Sequence, residues 1–301
     1  MKKVLVVIGP TAVGKTALSI KLAKKFNGEI INGDSVQVYK ELDIGSAKIT
    51  PDEMNGIAHH LLSFKELNED FSVAEFQEVV RQKIDEIINR GKLPIIVGGT
   101  GLYIQAVLYD FRFEKEGRSE LFKQKYESLS NEELHLLLSK IDQEQADKIH
   151  VNNRRRVLRA IEIYENNKQT KSELIDTQSN KSLYNAYIIG LDMDRKILYE
   201  RINQRVDLMI QANLIDEVKQ LYERGYHVNA IGYKEFYDYF KGEKSLDEVI
   251  EEIKKNTRHY AKRQLTYFRN KLDTHWFMVD IHQKDQLMDN IEQEVKEWSM
   301  K

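Results

Sequence analysis

A short apolar run, KVLVVI at residues 3–8, leads directly into GPTAVGKT at 9–16, and no other feature constrains this chain as strongly. A continuous β-branched run of this length reads as a buried strand. The octapeptide behind it matches G-x-x-x-x-G-K-[ST], and an amphipathic stretch from Lys15 to Phe26 supplies the helix that such a loop must open. Strand, glycine-rich turn and helix N-terminus aim successive backbone N–H groups at one point, forming an anion nest. Lys15 adds a point charge there, and the Thr16 hydroxyl can ligate Mg²⁺. Gly9, Thr11, Ala12, Val13, Gly14, Lys15 and Thr16 are therefore the expected diphosphate-binding residues, with Thr16 also the expected metal ligand. The motif specifies a di- or triphosphate group; it does not specify ATP hydrolysis.

The same alternation continues. Residues 29–32 form a second strand ending at Gly33 and Asp34. Ser72 and Glu75 make a capping box, with Phe71 and Phe76 as a staple, before a helix that runs to Arg90 and stops at Gly91. Residues 93–97 form a third strand, followed by Gly98, Gly99, Thr100 and Gly101, and Tyr187 to Leu191 reads as a returning strand. This pattern predicts an α/β fold with a P-loop-type parallel sheet covered on both faces. Residues 119–175 contain neither proline nor glycine and read as helices, with a second capping box at Ser130 and Glu133. After Asp194 the chain is mostly helical, with breaks near Gly225, Gly232 and Gly242. The expected organisation is a core of residues 1–111 and 186–301, with a helical C-terminal portion, interrupted by a helical insertion domain at 112–185.

Composition narrows the chemistry. The absence of cysteine excludes disulfides, thiolate metal sites, iron–sulfur clusters and cysteine nucleophiles, and fits a reducing, cytoplasmic setting. The longest apolar runs fall far short of the ~20 residues that span a bilayer. Met1-Lys2-Lys3 before an apolar run resembles a signal peptide, but the run is too short and a first strand is expected instead.

Asp34 closes the second strand inside DSVQVY (34–39), at the sheet edge where such folds bind ligands. There a carboxylate can hold a metal, act as a general base, or simply cap a turn. The Gly98–Gly101 turn brings the Thr100 hydroxyl to the same edge. His59 and His60 invite a metal reading, but adjacent side chains point apart and no third ligand is spaced to help, so a structural role is expected. Two basic stretches stand out in a chain of net charge -2: Arg154, Arg155, Arg156 and Arg159, and then IKKNTRHYAKRQLTYFRNKL at 253–272, which contains no acid. In the second, Lys255, Arg258 and Lys262 share a helix face among interleaved aromatics, a pattern suited to a phosphate backbone and unstacked bases.

With these residues in hand the chain resembles the tRNA dimethylallyltransferase (tRNA isopentenyltransferase) family over nearly its whole length. The likeness is carried by GPTAVGKT (9–16), DSVQVY (34–39), HHLL (59–62), FSVAEF (71–76), VGGTGLY (97–103), RRRVLRAIE (154–162), LYERINQRVDLM (198–209), AIGYKE (230–235) and TRHYAKRQLTYFR (257–269). Ser46 stands where the family has threonine, and Tyr267 where tryptophan is usual. The resemblance implies transfer of a dimethylallyl group from dimethylallyl diphosphate to N6 of the adenosine on the 3′ side of the anticodon, with Mg²⁺ as cofactor. It implies catalytic roles for Asp34 (proton acceptor), Thr100 (beside the transferring centre) and Arg205 (a cation on the diphosphate). Asp34, Ser35, Val36 and Gln37 would meet the flipped adenosine. Arg155, Arg156, Arg159, Lys234, Arg258, Lys262 and Arg263 would grip the anticodon-loop phosphates, the insertion acting as a clamp. The expected partners are tRNA and dimethylallyl diphosphate, with no membrane, and the expected state is a monomer.

Three other readings compete. A P-loop kinase explains the loop, Asp34 and Mg²⁺ but not the basic helix. A prenyltransferase acting on free AMP or ATP needs no such helix. An RNA-binding module with a vestigial loop leaves Lys15, Thr16, Asp34 and Thr100 unexplained together.

Overall fold

The computed structural model describes residues 1–111, 120–177 and 181–301. Six strands form one sheet: β1 (Lys3–Ile8), β2 (Gly28–Asn32), β3 (His59–His60), β4 (Leu93–Gly98), β5 (Asn185–Asp192) and β6 (His275–Met278). Their order is β3-β2-β4-β1-β5-β6, and every pairing is parallel. The central β1 is buried on both faces, as parallel sheets require. Leu5 and Val7 enter a core cluster with Leu22, Ile291 and Val295, while Val4, Val6 and Ile8 are equally inaccessible on the other side.

The helices in chain order begin with α1 (Lys15–Lys25), α2 (Pro51–Met54), α3 (Val73–Asn89) and α4 (Gly101–Leu108). Next come α5 (Glu120–Glu127), α6 (Asn131–Ile141), α7 (Gln143–Lys148), α8 (Arg154–Asn167) and α9 (Lys171–Thr177). The last five are α10 (Arg195–Gln211), α11 (Leu214–Glu223), α12 (Phe236–Phe240), α13 (Leu246–Lys271) and α14 (Lys284–Met300). Among the described residues no helix is long and apolar enough to cross a membrane.

Local signals behave as expected in most places. Ser130 and Glu133 form a complete capping box at α6. At α3 the box is half made: Ser72 Oγ accepts the Glu75 N–H, but the Glu75 carboxylate turns instead to Lys65, 2.7 Å away. Phe71 packs edge-on against Phe76, completing the staple. Gly91, Gly225, Gly232 and Gly242 all take positive φ at helix or turn ends. Two strands escaped the sequence reading. β3 is only two residues long, and β6 is a four-residue edge strand in a region expected to be helical.

The chain divides into two compact units, Met1–Leu108 with Ser182–Lys301, and Tyr109–Lys181. The expected start of the insertion, residue 112, lies outside the described residues. The smaller unit has its own core of Phe122, Leu134, Leu138, Val157 and Ile161. In the larger unit the segment that follows Asp34 packs with α11, α12 and α13 around Leu42, Val218, Tyr233, Phe236 and Ile253.

Candidate active site

Because the strands are parallel, the loops after β1, β2 and β4 leave the sheet at one edge. They meet the side chains of α10 and α13 around a cleft of about 740 Å³. Thr11, Ala12, Gly14, Lys15 and Thr16 line it from the first loop, and Asp34, Ser35, Val36 and Gln37 from the second. Gly9 and Val13 do not line it: Val13 is buried in the core, and a Cβ on Gly9 would lie 2.6 Å from the Leu191 carbonyl oxygen.

The phosphate loop is held by side chains far away in sequence. Its Thr11 N–H donates to Gln264 Oε1 (3.0 Å), so this donor is already taken and does not belong to the anion nest. Arg201 Nε donates to Ala12 O (2.9 Å), and Lys15 Nζ to Gly9 O (3.0 Å) and Pro10 O (2.8 Å). Arg205 Nη1 reaches Thr11 Oγ1 at 3.4 Å. Burial pulls the Lys15 ammonium down to about 7; the neighbouring Arg205 cation lowers it further, against the opposing pull of Asp34. Burial also lowers Arg205, again opposed by Asp34. Cations this desolvated, resting on carbonyls and a hydroxyl rather than on a carboxylate, are poised for an anionic ligand. Pairing of Arg205 with Asp207 does not occur, since Asp207 takes Lys254 at 2.9 Å.

Asp34 caps its turn with one oxygen only. Oδ1 accepts the N–H groups of Val36 (2.8 Å) and Gln37 (3.4 Å), closing the turn, whereas Oδ2 receives no hydrogen bond from the described residues. Gln37 is less available than expected, because its amide already donates to Ser46 O (3.0 Å) and Ala47 O (3.4 Å). Thr100 is not among the cleft-lining residues; its Oγ1 accepts the Ser35 N–H at 3.2 Å. The glycines around it serve packing more than N–H display. A Cβ on Gly98 would lie 2.1 Å from Gly33 O, on Gly99 2.2 Å from Gln264 Nε2, and on Gly101 2.3 Å from the Tyr267 ring.

Sequence reasoning missed Arg201 and Gln264 and took Tyr260 only as an aromatic of the basic helix. Arg201 was signalled by its i,i+4 spacing from Arg205 on one helix face. Gln264 carried no local signal. Besides holding Thr11, its Nε2 donates to Gly99 O (3.0 Å), so one buried amide joins α13 to two strand-end loops. Burial and the nearby Asp34 push the Tyr260 hydroxyl up to about 12, and the residue lines the cleft beside Gln264. Tyr267 donates to Gln105 Oε1 (2.5 Å), and Ser46 Oγ donates to Leu42 O (2.6 Å), so both departures from the family pattern keep a working polar group.

The remaining predicted cations lie off the cleft. Lys234, Lys262 and Arg263 are exposed, and Arg258 is half-buried and donates to Asn203 Oδ1 (2.6 Å). In the smaller unit Arg155 and Arg156 are exposed, Arg159 pairs with Glu162 (2.7 Å), and Arg154 is spent on the Leu129 and Tyr126 carbonyls. His59 and His60 are structural: they bond Ile57 O (2.9 Å) and Glu29 Oε2 (2.7 Å). Among the described residues no group of three His, Asp or Glu side chains could hold a metal.

Fold and site together define a phosphate-loop α/β enzyme whose cleft holds under-neutralised cations beside a carboxylate oxygen with no donor among the described residues. Comparison with known proteins gives the family. The IPP transferase family model matches residues 37–271. A tRNA dimethylallyltransferase of Anoxybacillus flavithermus is 56% identical over 280 residues, covering 92% of this chain and 90% of the relative. The solved full-length tRNA isopentenylpyrophosphate transferase of Bacillus halodurans is 46% identical with a TM-score of 0.74, covering 100% of this chain and 99% of the other. A eukaryotic dimethylallyltransferase solved acting on tRNA is 33% identical with a TM-score of 0.86, covering 97% and 78%. The chain belongs to the IPP transferase family of prenyltransferases.

Proposed function

We propose that this chain transfers the dimethylallyl group of dimethylallyl diphosphate to N6 of the adenosine next to the anticodon on its 3′ side in tRNA. The observation that carries this reading is the meeting, in one cleft, of the phosphate loop with its unpaired cations and the open Oδ2 of Asp34. The C1–O bond of the allyl diphosphate breaks and diphosphate leaves with the electron pair. The N6–C1 bond forms, and the N6 proton passes to Asp34. N6 is a weak nucleophile, because its lone pair is conjugated into the ring, so a positioned base matters. Lys15, Arg201 and Arg205 neutralise the charge that grows on the departing diphosphate. Ser35, Val36 and Gln37 meet the flipped base, with Gln37 reading through its remaining Oε1. Thr100, behind Ser35 and bonded to its N–H, orients that turn.

The donor set suits Mg²⁺. The Thr16 hydroxyl, at the helix N-terminus, has no protein hydrogen-bond partner among the described residues, and hard oxygen ligands shared with a diphosphate are what that ion takes. Bound there, Mg²⁺ supplies Lewis-acid neutralisation of the leaving group. The exposed Lys234, Lys262 and Arg263, together with Arg258, hold the RNA backbone, and the insertion unit adds Arg155, Arg156 and Arg159. The target base must leave its stack to reach the cleft. Every group in this reading comes from one chain, so a monomer suffices, and the acceptor implies a cytoplasmic enzyme.

The test is a transfer assay with radiolabelled dimethylallyl diphosphate and Mg²⁺, offering unmodified tRNA, AMP and ATP separately. Label entering tRNA alone is expected. Label entering only a mononucleotide, or ATP consumption without transfer, overturns the reading.

A further inference from the structure

Glu217, in the first turn of α11, accepts four hydrogen bonds. Oε2 takes the N–H groups of Asp43 (3.2 Å) and Ile44 (2.8 Å), and Oε1 takes the Gly45 N–H (3.0 Å) and the Tyr233 hydroxyl (2.7 Å). Three consecutive backbone donors closing on one carboxylate form a nest, and each bond is strengthened by the acceptor's charge. The packing beneath is equally tight. Tyr233 is fully buried, and a Cβ on Gly45 would sit 2.6 Å from its ring. The AIGYKE segment, whose Lys234 was expected to be its functional member, thus also supplies the clamp for a loop more than 180 residues away in sequence.

That loop reaches the active site. Gly45, Ser46 and Ala47 line the cleft. Ser46 O and Ala47 O hold the Gln37 amide at 3.0 and 3.4 Å, and Gln37 N–H in turn closes on Asp34 Oδ1. Lys48 anchors the other end of the loop on Tyr39 O (2.7 Å) and Ser63 Oγ (2.8 Å). The diphosphate side depends on different residues, Gln264 and Arg201.

We infer that Glu217 is a positioning residue for the acceptor. Through the 43–47 loop it sets the cleft wall and the Gln37 orientation against which the target base is held, and it leaves the diphosphate subsite alone. The inference rests on the reading that the Gln37 side of the cleft receives the nucleoside.

The experiment compares wild type, Glu217→Gln and Tyr233→Phe. Glu217→Gln keeps the shape but turns an NH₂ toward backbone donors. Losing charge-assisted hydrogen bonds of this kind is expected to raise KM for tRNA about tenfold or more and to speed amide exchange at residues 43–45 by a similar factor. The dissociation constant for dimethylallyl diphosphate stays within about twofold, since none of its contacts changes. Tyr233→Phe removes one donor and keeps the three N–H bonds, so the same acceptor-sided effect is expected at smaller size, and it carries the test alone if Glu217→Gln does not fold. An unchanged KM for tRNA, unchanged amide exchange, or diphosphate affinity falling in step with KM overturns the assignment. A wild-type chain that labels no tRNA defeats the proposed activity itself, and this is read before any variant is compared.

Discussion

Two charge clusters lie toward opposite ends of the same parallel strands, and they are built on opposite terms. Near the amino end of β2, Glu29 is buried and receives Arg90 (2.6 Å), Lys92 (2.9 Å) and His60 (2.7 Å). Burial pushes its carboxyl up, but these three partners outweigh that and hold it at about 2. At the carboxyl end, Lys15 and Arg205 are half-buried, repel each other and rest on neutral oxygens. One cluster is a satisfied structural tie. The other keeps its charge unspent, and a structure retains such a cost where a ligand will relieve it.

The largest test of this contrast is Asp34→Asn, which keeps the Oδ1 acceptor of the turn but removes the base. Turnover is expected to fall on the order of 10²–10⁴, with tRNA binding and melting temperature nearly unchanged. Wild-type turnover would remove the base assignment and leave Asp34 a turn residue only.

Glu29→Gln should do the reverse. It strands two cations and an imidazole around a buried amide and is expected to cost about 1–3 kcal/mol by denaturant unfolding while activity per folded molecule persists. The acid limb sharpens the point. The folded carboxyl lies below its ordinary value of 4.5, so its contribution is complete above that pH and is lost as pH falls toward about 2. An unfolding curve over this window should be shallower in Glu29→Gln.

Lys15 predicts a pH effect of the same sign in a different window, arising from a charge that opposes folding rather than one that supports it. With its free value near 7 against an ordinary 10.5, its charge opposes folding below about 7, and the penalty is relieved as pH rises from about 7 to 10.5. A bound anion favours the charged form. Diphosphate affinity should therefore be flat below pH 7 and weaken by up to roughly tenfold per pH unit above it, with proton uptake on binding. Calorimetry at pH 8 in buffers of different ionisation enthalpy measures that uptake; no buffer dependence would mean Lys15 is already charged.

The smallest expected effect lies on the outer face of α13. Lys262→Ala should lower the salt slope of tRNA binding by about one and leave transfer chemistry alone. An unchanged slope would return Lys262 to solvent.

Much of this was readable in advance. The strand–loop–helix at residues 3–25, the Asp34 and Gly98 strand ends and the helical stretch after residue 119 follow from periods of 2 and 3.6 with glycine punctuation. The two-residue β3 and the edge strand β6 are too short for any period to register. At the cleft, Lys15, Thr16 and Asp34 were legible because motif and strand-end position are local properties, whereas Arg205 came only from the family resemblance. Gln264 was not, because a glutamine in a basic helix looks solvent-facing until the helix is laid across the loops it bonds.

The sequence by itself determined the class of fold, the G-x-x-x-x-G-K-T loop and the carboxylate at the next strand end, since each is written in contiguous residues whose backbone geometry is short-range. Only the tertiary structure decided which hydrogen bonds remain available. It committed Thr11 N–H to Gln264, the Gln37 amide to Ser46 and Ala47, and the glycines after β4 to close packing. Those partners lie up to 253 residues apart. Hydrogen-bond satisfaction is a property of atoms within about 3 Å of one another in space, and sequence order does not encode that distance.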